Sequence, residues 1–145
     1  MKGIAQILKG KPSKVVHTIG PNQTVYEAVE MMAEQGIGAL LVMQGEKIVG
    51  IVTERDYARK IVLAGRSSRE TSVSVIMTTR VLCVGPLQTT EECMAIMTEN
   101  RVRHLPVLDN GKLIGLVSIG DLVKDIISEQ QFIIEQLEHY IAGGR

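Results

Sequence analysis

The sequence predicts a mixed α/β fold in which two copies of one supersecondary unit share a core. Pro21 to Asp56 aligns without a gap on Pro86 to Asp121, at a constant offset of 65 residues, the difference between 21 and 86. Each copy carries a helical pattern, two short apolar runs and a second helical pattern, in that order. Because a piece of about 65 residues buries only roughly 60% of its surface, we expect one domain made of two halves.

The first helix of each unit begins at a capping box. Thr24 and Glu27 in the first unit, and Thr89 and Glu92 in the second, have the Thr-x-x-Glu spacing in which each side chain accepts from the other residue's backbone N–H. Apolar residues recur at helical spacing after each box, so one stripe of each helix faces the core. Gly36 is expected to end the first of these helices in a left-handed conformation.

A β-hairpin follows each of these helices. The apolar runs cover residues 39–43 and 48–52 in the first unit, and 105–108 and 113–117 in the second. Short apolar runs on either side of a polar turn are typical of paired strands. The second turn, Asp109-Asn110-Gly111, has the composition of a tight hairpin turn.

A second helix follows each hairpin, and the two differ in length. The first is expected over Glu54 to Ala64, ending at Gly65, whereas the second starts at Ile119 and continues beyond the equivalent stop. Its extension is rich in apolar side chains, which need a partner: Phe132, Ile133, Ile134, Leu137 and Ile141. A homodimer satisfies this requirement. The alternative is that the extension folds back on Ile4, Ile7 and Leu8 of the same chain.

Shorter segments flank the two units. Residues 17–19 and 82–84, each followed by a proline, predict added edge strands. The basic, serine-rich residues 66–72 predict a linker, and residues 73–77 a short helix that mirrors residues 4–8 only loosely. We therefore divide the chain into residues 1–71, the first repeat with its N-terminal helix and linker, and residues 72–145, the second repeat with its extended helix.

The end of each hairpin carries the pattern Gly-h-h-[Ser/Thr]-x-x-Asp, where h is apolar. The pattern consists of Gly50, Thr53 and Asp56 in the first unit and Gly115, Ser118 and Asp121 in the second. A hydroxyl at a helix N-terminus suits a phosphate oxygen, and a carboxylate three residues later accepts both hydroxyls of a ribose. The same spacing also describes an ordinary helix cap, and duplication does not separate the two interpretations.

Composition argues against several other functions. The formal net charge is zero and there is no basic run, so we expect no nucleic-acid partner. No apolar stretch is long enough to span a membrane and no signal peptide is recognisable, which predicts a cytoplasmic protein. Cys83 and Cys93 are predicted to be small core residues rather than zinc ligands or a disulfide pair, and we expect no metal site. No nucleophile–base pairing or Walker-type loop is present, so an enzyme is not expected.

Together with Arg103-His104-Leu105-Pro106-Val107-Leu108-Asp109 at the second hairpin, the twin motifs make the chain resemble a tandem pair of cystathionine-β-synthase (CBS) domains, of the stand-alone bacterial type, from about residue 15 to 127. The resemblance implies two βαββα repeats related by a pseudo-twofold axis and packed sheet to sheet. It also implies clefts between the repeats that bind AMP, ADP, ATP, NAD or S-adenosylmethionine.

The resemblance assigns residues to two sites. In the site carrying the second-repeat motif, Asp121 accepts the ribose hydroxyls, Ser118 contacts ribose or phosphate, Arg103 and His104 meet the phosphate, and Thr18, Ile19 and Ile37 line the adenine pocket. The site carrying the first-repeat motif is expected to consist of Gly38, Ala39, Thr53, Arg55, Asp56, Cys83, Val84 and Val102. Arg55 is expected to supply the cation that Gly38 and Ala39 do not. Before the resemblance is considered, Arg103 and His104 also fit solvated cations at a helix end.

The predicted function is therefore a non-catalytic sensor of energy or redox state, with a bound adenine nucleotide, no catalytic cofactor and an effector protein that the sequence does not identify. The alternative is a dimerisation or scaffold module that works without nucleotide.

Overall fold

The chain forms two compact units in a computed structural model, which describes residues 3–12 and 15–143. The first-repeat unit is Val16–Leu82, and the second-repeat unit combines Met1–Val15 with Cys83–Arg145. The division at residues 71 and 72 follows the order of the repeats along the sequence. Packing instead assigns the N-terminal helix to the second repeat.

The first-repeat unit contains a three-stranded sheet with strand order β1-β2-β3. Its elements are β1 (Thr18–Ile19), α2 (Val25–Gln35), β2 (Ala39–Gln44), β3 (Lys47–Thr53), α3 (Glu54–Tyr57) and α4 (Val73–Ile76). Strand β1 is parallel to β2, and β2 and β3 form the predicted hairpin. The predicted helix over 54–64 is α-helical only to Tyr57, because residues Ala58–Val62 form a π-helical turn. Such turns often occur at functional sites.

The second-repeat unit contains a two-stranded sheet. Its elements are α1 (Ile4–Gly10), α5 (Thr90–Asn100), β4 (His104–Asp109), β5 (Lys112–Ser118) and α6 (Ile119–Gly143). The predicted edge strand over 82–84 is reduced to a single parallel bridge between Val84 and Val107. The tight turn of its hairpin is confirmed, since Asn110 and Gly111 both have positive φ, 52° and 78°.

Capping boxes form at both predicted helix starts. Thr24 accepts from the N–H of Glu27 at 3.1 Å, and Thr89 accepts from that of Glu92 at 3.2 Å. Gly36 caps the end of α2 at φ 64°, as its sequence position predicts.

The short helices α1 and α4 occupy equivalent places in the two units. Their contacts are more alike than their sequences are. Gly3, just before α1, bridges to Thr89, and Ser72, just before α4, bridges to Thr24. Each helix is held by two buried apolar side chains, which are Ile4 and Ile7 in α1 and Val73 and Ile76 in α4. The loose likeness between residues 4–8 and 73–77 therefore reflects two helices with equivalent contacts, although α1 has seven residues and α4 has four.

The motif glycines provide the close approach that these short helices need. A Cβ at Gly115 would lie 2.6 Å from Cδ2 of Leu8, and one at Gly50 would lie 2.6 Å from Sδ of Met77. An alanine at either position would force the neighbouring side chain to move, so packing favours glycine here, whereas neither glycine has a positive φ that would itself call for one.

Each unit has its own buried core. In the first-repeat unit, α2, the hairpin and α4 contribute the fully buried side chains Val25, Ala28, Leu40, Val42, Val52, Val73 and Ile76. In the second-repeat unit, the fully buried side chains include Ile4, Cys93, Leu105, Val107, Val117 and Leu122. The core prediction is thus confirmed for Cys93 but wrong for Cys83, which is exposed.

Helix α6 begins on the core and then leaves it. Leu122 and Asp125 are buried, whereas every residue from 130 to 142 is exposed. The apolar side chains of the extension are among them, with 56% exposure at Leu137 and 79% at Ile141. The alternative in which they fold back on α1 is therefore wrong. No helix among residues 3–12 and 15–143 has the length and hydrophobicity needed to cross a membrane.

Candidate functional site

The end of the second hairpin gathers three of the predicted ligand-binding residues. Strand β5 ends at Ser118, whose Oγ accepts from the N–H of Asp121 at 3.2 Å. The carboxylate Oδ2 of Asp121 accepts in return from the N–H of Ser118 at 2.8 Å. The N–H of Ile119 donates to the carbonyl of Arg103 at 2.9 Å, which fixes the helix start beside the entrance of β4.

Lys11, which no sequence pattern indicated, also contacts the end of the second hairpin. Its Nζ donates to Oδ2 of Asp121 at 2.9 Å and to the carbonyl of Leu116 at 2.8 Å. Among the described residues, no donor contacts the second carboxylate oxygen, Oδ1, of Asp121. Burial raises the pKa of Asp121, but the hydrogen bonds from Ser118 and Lys11 outweigh it and hold that pKa below its usual value.

His104 completes the basic side of the site. It pairs with Ser118 across the hairpin and is half-buried, whereas Arg103 is exposed. Burial lowers the pKa of His104, the charge of Asp121 raises it, and the charges of Lys11 and Arg103 lower it further, with a net downward shift. The protonated imidazole is therefore less favoured in the folded chain than in the unfolded one.

The first hairpin ends in the same way. Thr53 Oγ1 accepts from the N–H of Asp56 at 3.1 Å, and Oδ2 of Asp56 accepts from the N–H of Thr53, also at 3.1 Å. The N–H of Glu54 donates to the carbonyl of Gly38 at 3.1 Å, which matches the bond between Ile119 and Arg103. Ala39 pairs with Thr53 at the start of the hairpin.

Asp56 differs from Asp121 in that both of its oxygens are in use. Its Oδ1 lies 3.0 Å from Nζ of Lys60 and accepts from Oγ1 of Thr78 at 3.4 Å. Lys60, in the π-helical turn, also donates to the carbonyl of Ile76 at 2.8 Å. The Asp56 side chain is 10% exposed, against 18% for Asp121. The cation in contact with Asp56 is Lys60, which the sequence did not indicate, and the role of Arg55 at the entrance of this site stays a prediction.

The other predicted site residues lie near the hairpins of their own units. Thr18 is exposed on β1 and Ile19 is buried beside it. Ile37 packs against the first-repeat core, and its N–H donates to the carbonyl of Met32. In the second-repeat unit, Cys83 is exposed, Val84 is buried and Val102 is half-buried. Both predicted sites draw residues from both units, and these groupings stay predictions.

Neither unit contains a metal cluster among the described residues, since no three His, Cys, Asp or Glu side chains come together there. The groups that the hairpin ends bring together are hydroxyl, carboxylate and cationic groups. Such groups recognise a sugar and a phosphate through hydrogen bonds and charge.

Comparison with known proteins identifies the family. The CBS domain family matches residues 4–63 and 73–128, and the chain belongs to it. CBS domain pairs are generally non-catalytic regulatory modules.

Three related proteins show how far the likeness extends. The mitochondrial CBS domain-containing protein CBSX3 of Arabidopsis thaliana is 44% identical over 128 residues, covering 85% of this chain and 62% of its own length. A solved CBS-domain protein of Burkholderia ambifaria MC40-6 is 61% identical, with a TM-score of 0.86 over 89% of this chain and 96% of its own. The CBS domain pair of protein MJ0100, solved with 5′-methylthioadenosine and S-adenosyl-L-methionine, has a TM-score of 0.76 over 89% of this chain and 98% of its own. It is 23% identical, so that likeness concerns the fold alone.

Proposed function

We propose that this chain is a regulatory module that binds an adenine nucleotide, namely AMP, ADP, ATP or NAD, and responds to energy or redox state. The observation that carries the proposal is the arrangement of Asp121. Its Oδ2 is held by Ser118 and Lys11, while Oδ1 has no donor among the described residues. An ionised carboxylate with one oxygen available, next to a hydroxyl and a histidine, suits a ribose that carries a phosphate.

The remaining predicted residues belong to this proposal. Arg103 and His104 are assigned to the phosphate, and Thr18, Ile19 and Ile37 to the adenine. Support for an adenosine ligand comes from membership of the CBS domain family, and MJ0100, with which this chain shares the fold, is a CBS domain pair solved with two adenosine-containing ligands.

The predicted position at Thr53, Arg55 and Asp56 is proposed as the weaker of two sites. A sugar hydroxyl there has to compete with Lys60 and Thr78 for Oδ1 of Asp56. Because ligands of different size and charge meet different groups at the two positions, nucleotides are expected to bias the chain toward different states. An effector protein on another chain would bind one of these states in preference to the other.

The test is a titration with AMP, ATP and NAD followed by calorimetry and thermal unfolding. A ligand at about 100 times its Kd adds about 2.7 kcal/mol to the free energy of unfolding, which corresponds to roughly 5–11 °C in a chain of this size. Asp121→Asn is expected to abolish the tight site. Asp109→Asn, the same change at the exposed hairpin turn, is the matched control and should bind normally. No response to any of the three nucleotides would contradict the proposal.

The alternative, a scaffold that works without nucleotide, is favoured by one observation. Both motif aspartates take part in helix caps, and Asp56 is fully engaged in the ligand-free chain. In that case Asp121→Asn would change stability but no ligand response, since none would exist in the unmodified chain.

We also propose that the chain is a homodimer through the seam of α6, defined as Val123, Ile127, Gln130, Ile134, Leu137 and Ile141. These residues are spaced four, three, four, three and four apart, the pattern of a helix that pairs with another helix. A helix of about 13 residues is marginal on its own in water, so the exposed half of α6 needs a partner. Gln130, the polar residue in the seam, is suited to fixing the register of two copies.

Light scattering after size-exclusion chromatography tests the dimer. Ile134→Glu places a charge in the seam and is expected to give monomers. His139→Glu places the same charge on the opposite face of α6 and should leave the dimer intact. A monomeric unmodified chain, or two variants that behave alike, would refute the seam.

A further inference from the structure

Lys11 holds the carboxylate on which the proposed nucleotide site depends. It stands at the end of α1 and reaches residues more than 100 positions later in the sequence, since its Nζ contacts the carbonyl of Leu116 and Oδ2 of Asp121. Two of the three N–H donors of the ammonium group are thereby used. Its side chain is only 28% exposed, and Leu8, three residues earlier, packs on Gly115.

The two repeats place their lysines on different carboxylate oxygens. In the first-repeat unit, the cap uses Oδ2 of Asp56 and Lys60 takes Oδ1, so both oxygens are occupied. In the second-repeat unit, the cap and Lys11 share Oδ2 of Asp121. The carboxylate is thereby fixed at Oδ2, while Oδ1 receives no donor from residues 3–12 and 15–143.

We propose that Lys11 is a positioning residue of the second-repeat site, which orients Asp121 so that Oδ1 receives a sugar hydroxyl and which balances its negative charge beside an anionic ligand. The inference rests on the proposed function. In this proposal the site includes a residue from outside the duplicated stretch. The ion pair between Lys11 and Asp121 then contributes to ligand binding as well as to the stability of α1.

Charge supports this role. A nucleotide brings one or more phosphates close to its ribose, and an uncompensated carboxylate would repel them. The cation of Lys11 at 2.9 Å cancels that charge locally. Against burial, the Ser118 N–H and then Lys11 lower the pKa of Asp121, so Lys11 helps to keep the carboxylate ionised and purely an acceptor.

The experiment compares ATP binding by the full-length chain with that of Lys11→Met, Lys11→Arg and Lys112→Met. Calorimetry gives the Kd, and NMR titration of the ligand-free chain gives the pKa of the Asp121 carboxyl group. We expect Lys11→Met to weaken ATP binding about tenfold or more, the effect of one misplaced charge-assisted hydrogen bond. The same variant should raise the pKa of Asp121. Lys11→Arg should recover much of the affinity, and Lys112→Met, which removes an exposed charge at the hairpin turn, should bind like the unmodified chain.

Other outcomes separate the possible failures. If the unmodified chain binds no ATP, AMP or NAD, the proposed function fails and takes the role of Lys11 with it. If the unmodified chain binds but Lys11→Met binds equally well or more tightly, only the role of Lys11 is overturned, and a tighter Kd would identify Lys11 as a competitor of the ligand. Should Lys11→Met fail to fold, Lys11→Gln, which retains a donor for Leu116 but no charge, replaces it under the same criteria.

Discussion

Gly115→Ala is expected to destabilise the second-repeat unit by forcing Leu8 off the hairpin. The new Cβ would lie 2.6 and 2.8 Å from the two methyl carbons of Leu8 and 3.3 Å from its Cγ. The branched end of Leu8 has to move by about 1 Å to remove this overlap. Overpacking of a core by such an added group costs about 1–3 kcal/mol of stability. Alanine also lowers the conformational entropy of the unfolded chain, which stabilises the folded state by roughly 0.4–1 kcal/mol and offsets part of this cost. The difference between the two ranges is a net loss of at most about 2.6 kcal/mol with a midpoint of about 1.3 kcal/mol, or roughly 3–5 °C in the melting temperature.

Urea unfolding followed by circular dichroism measures this loss. Gly10→Ala is the matched control. Gly10 lies in α1, as Leu8 does, but nothing lies within 4 Å of the Cβ that this substitution would add. A double-mutant cycle with Leu8→Ala is more specific. If the clash is the cause, Leu8→Ala should remove most of the cost of Gly115→Ala, with a coupling energy of about 1 kcal/mol or more. Additive effects, or a Gly115→Ala chain as stable as the control, would refute the packing argument.

Two further predictions concern titratable groups. The folded pKa of His104 lies below its unfolded value of about 6.5, so its stabilising contribution is complete above that value and is lost as the pH falls through the folded pKa. The melting temperature should therefore drop between about pH 7.5 and 5.5, and by less in His104→Gln; an equal drop in both chains would exclude His104 as a source. Burial, helped by the charge of Glu92, raises the pKa of Cys93 to about 11, whereas Cys83 is exposed. One thiol per chain should react quickly with a disulfide reagent at about pH 8 and a second only after unfolding, and fast reaction in Cys83→Ser would contradict the burial of Cys93.

Local signals in the sequence predicted most of the fold. The capping boxes at Thr24 and Thr89 fixed the helix starts, and hydrophobic runs around short turns located both hairpins. The packing of α1 on the second repeat was not predictable in the same way. It depends on contacts between residues far apart in the sequence, such as Gly3 and Thr89. The π-helical turn has no recognisable pattern either, since it replaces part of an otherwise regular helical sequence.

The sequence predicted the duplicated part of the candidate site and the residues at the start of β4, but not its two lysines. Ser118 with Asp121, and Thr53 with Asp56, follow from the repeated motif and do lie together. Lys11 and Lys60 do not follow from it. Lys11 precedes the duplicated stretch, and Lys60 aligns with Asp125, so comparing the repeats gives no sign of either cation.

The assignment of α1 to the second repeat has a consequence for the order of folding. During synthesis, every residue of Val16–Leu82 is available before the second hairpin has been made, so this unit is able to assemble from a continuous stretch. The second-repeat unit has to wait, because α1 and Lys11 remain without their binding surface until the chain has grown past Asp121. Closing so long a loop carries a larger entropy cost than any contact within the other half, which makes late docking of the N-terminal helix the natural last step. Cutting the gene between the repeats would accordingly damage the downstream half more than the upstream one, since the fragment that begins at the second repeat lacks its own first helix.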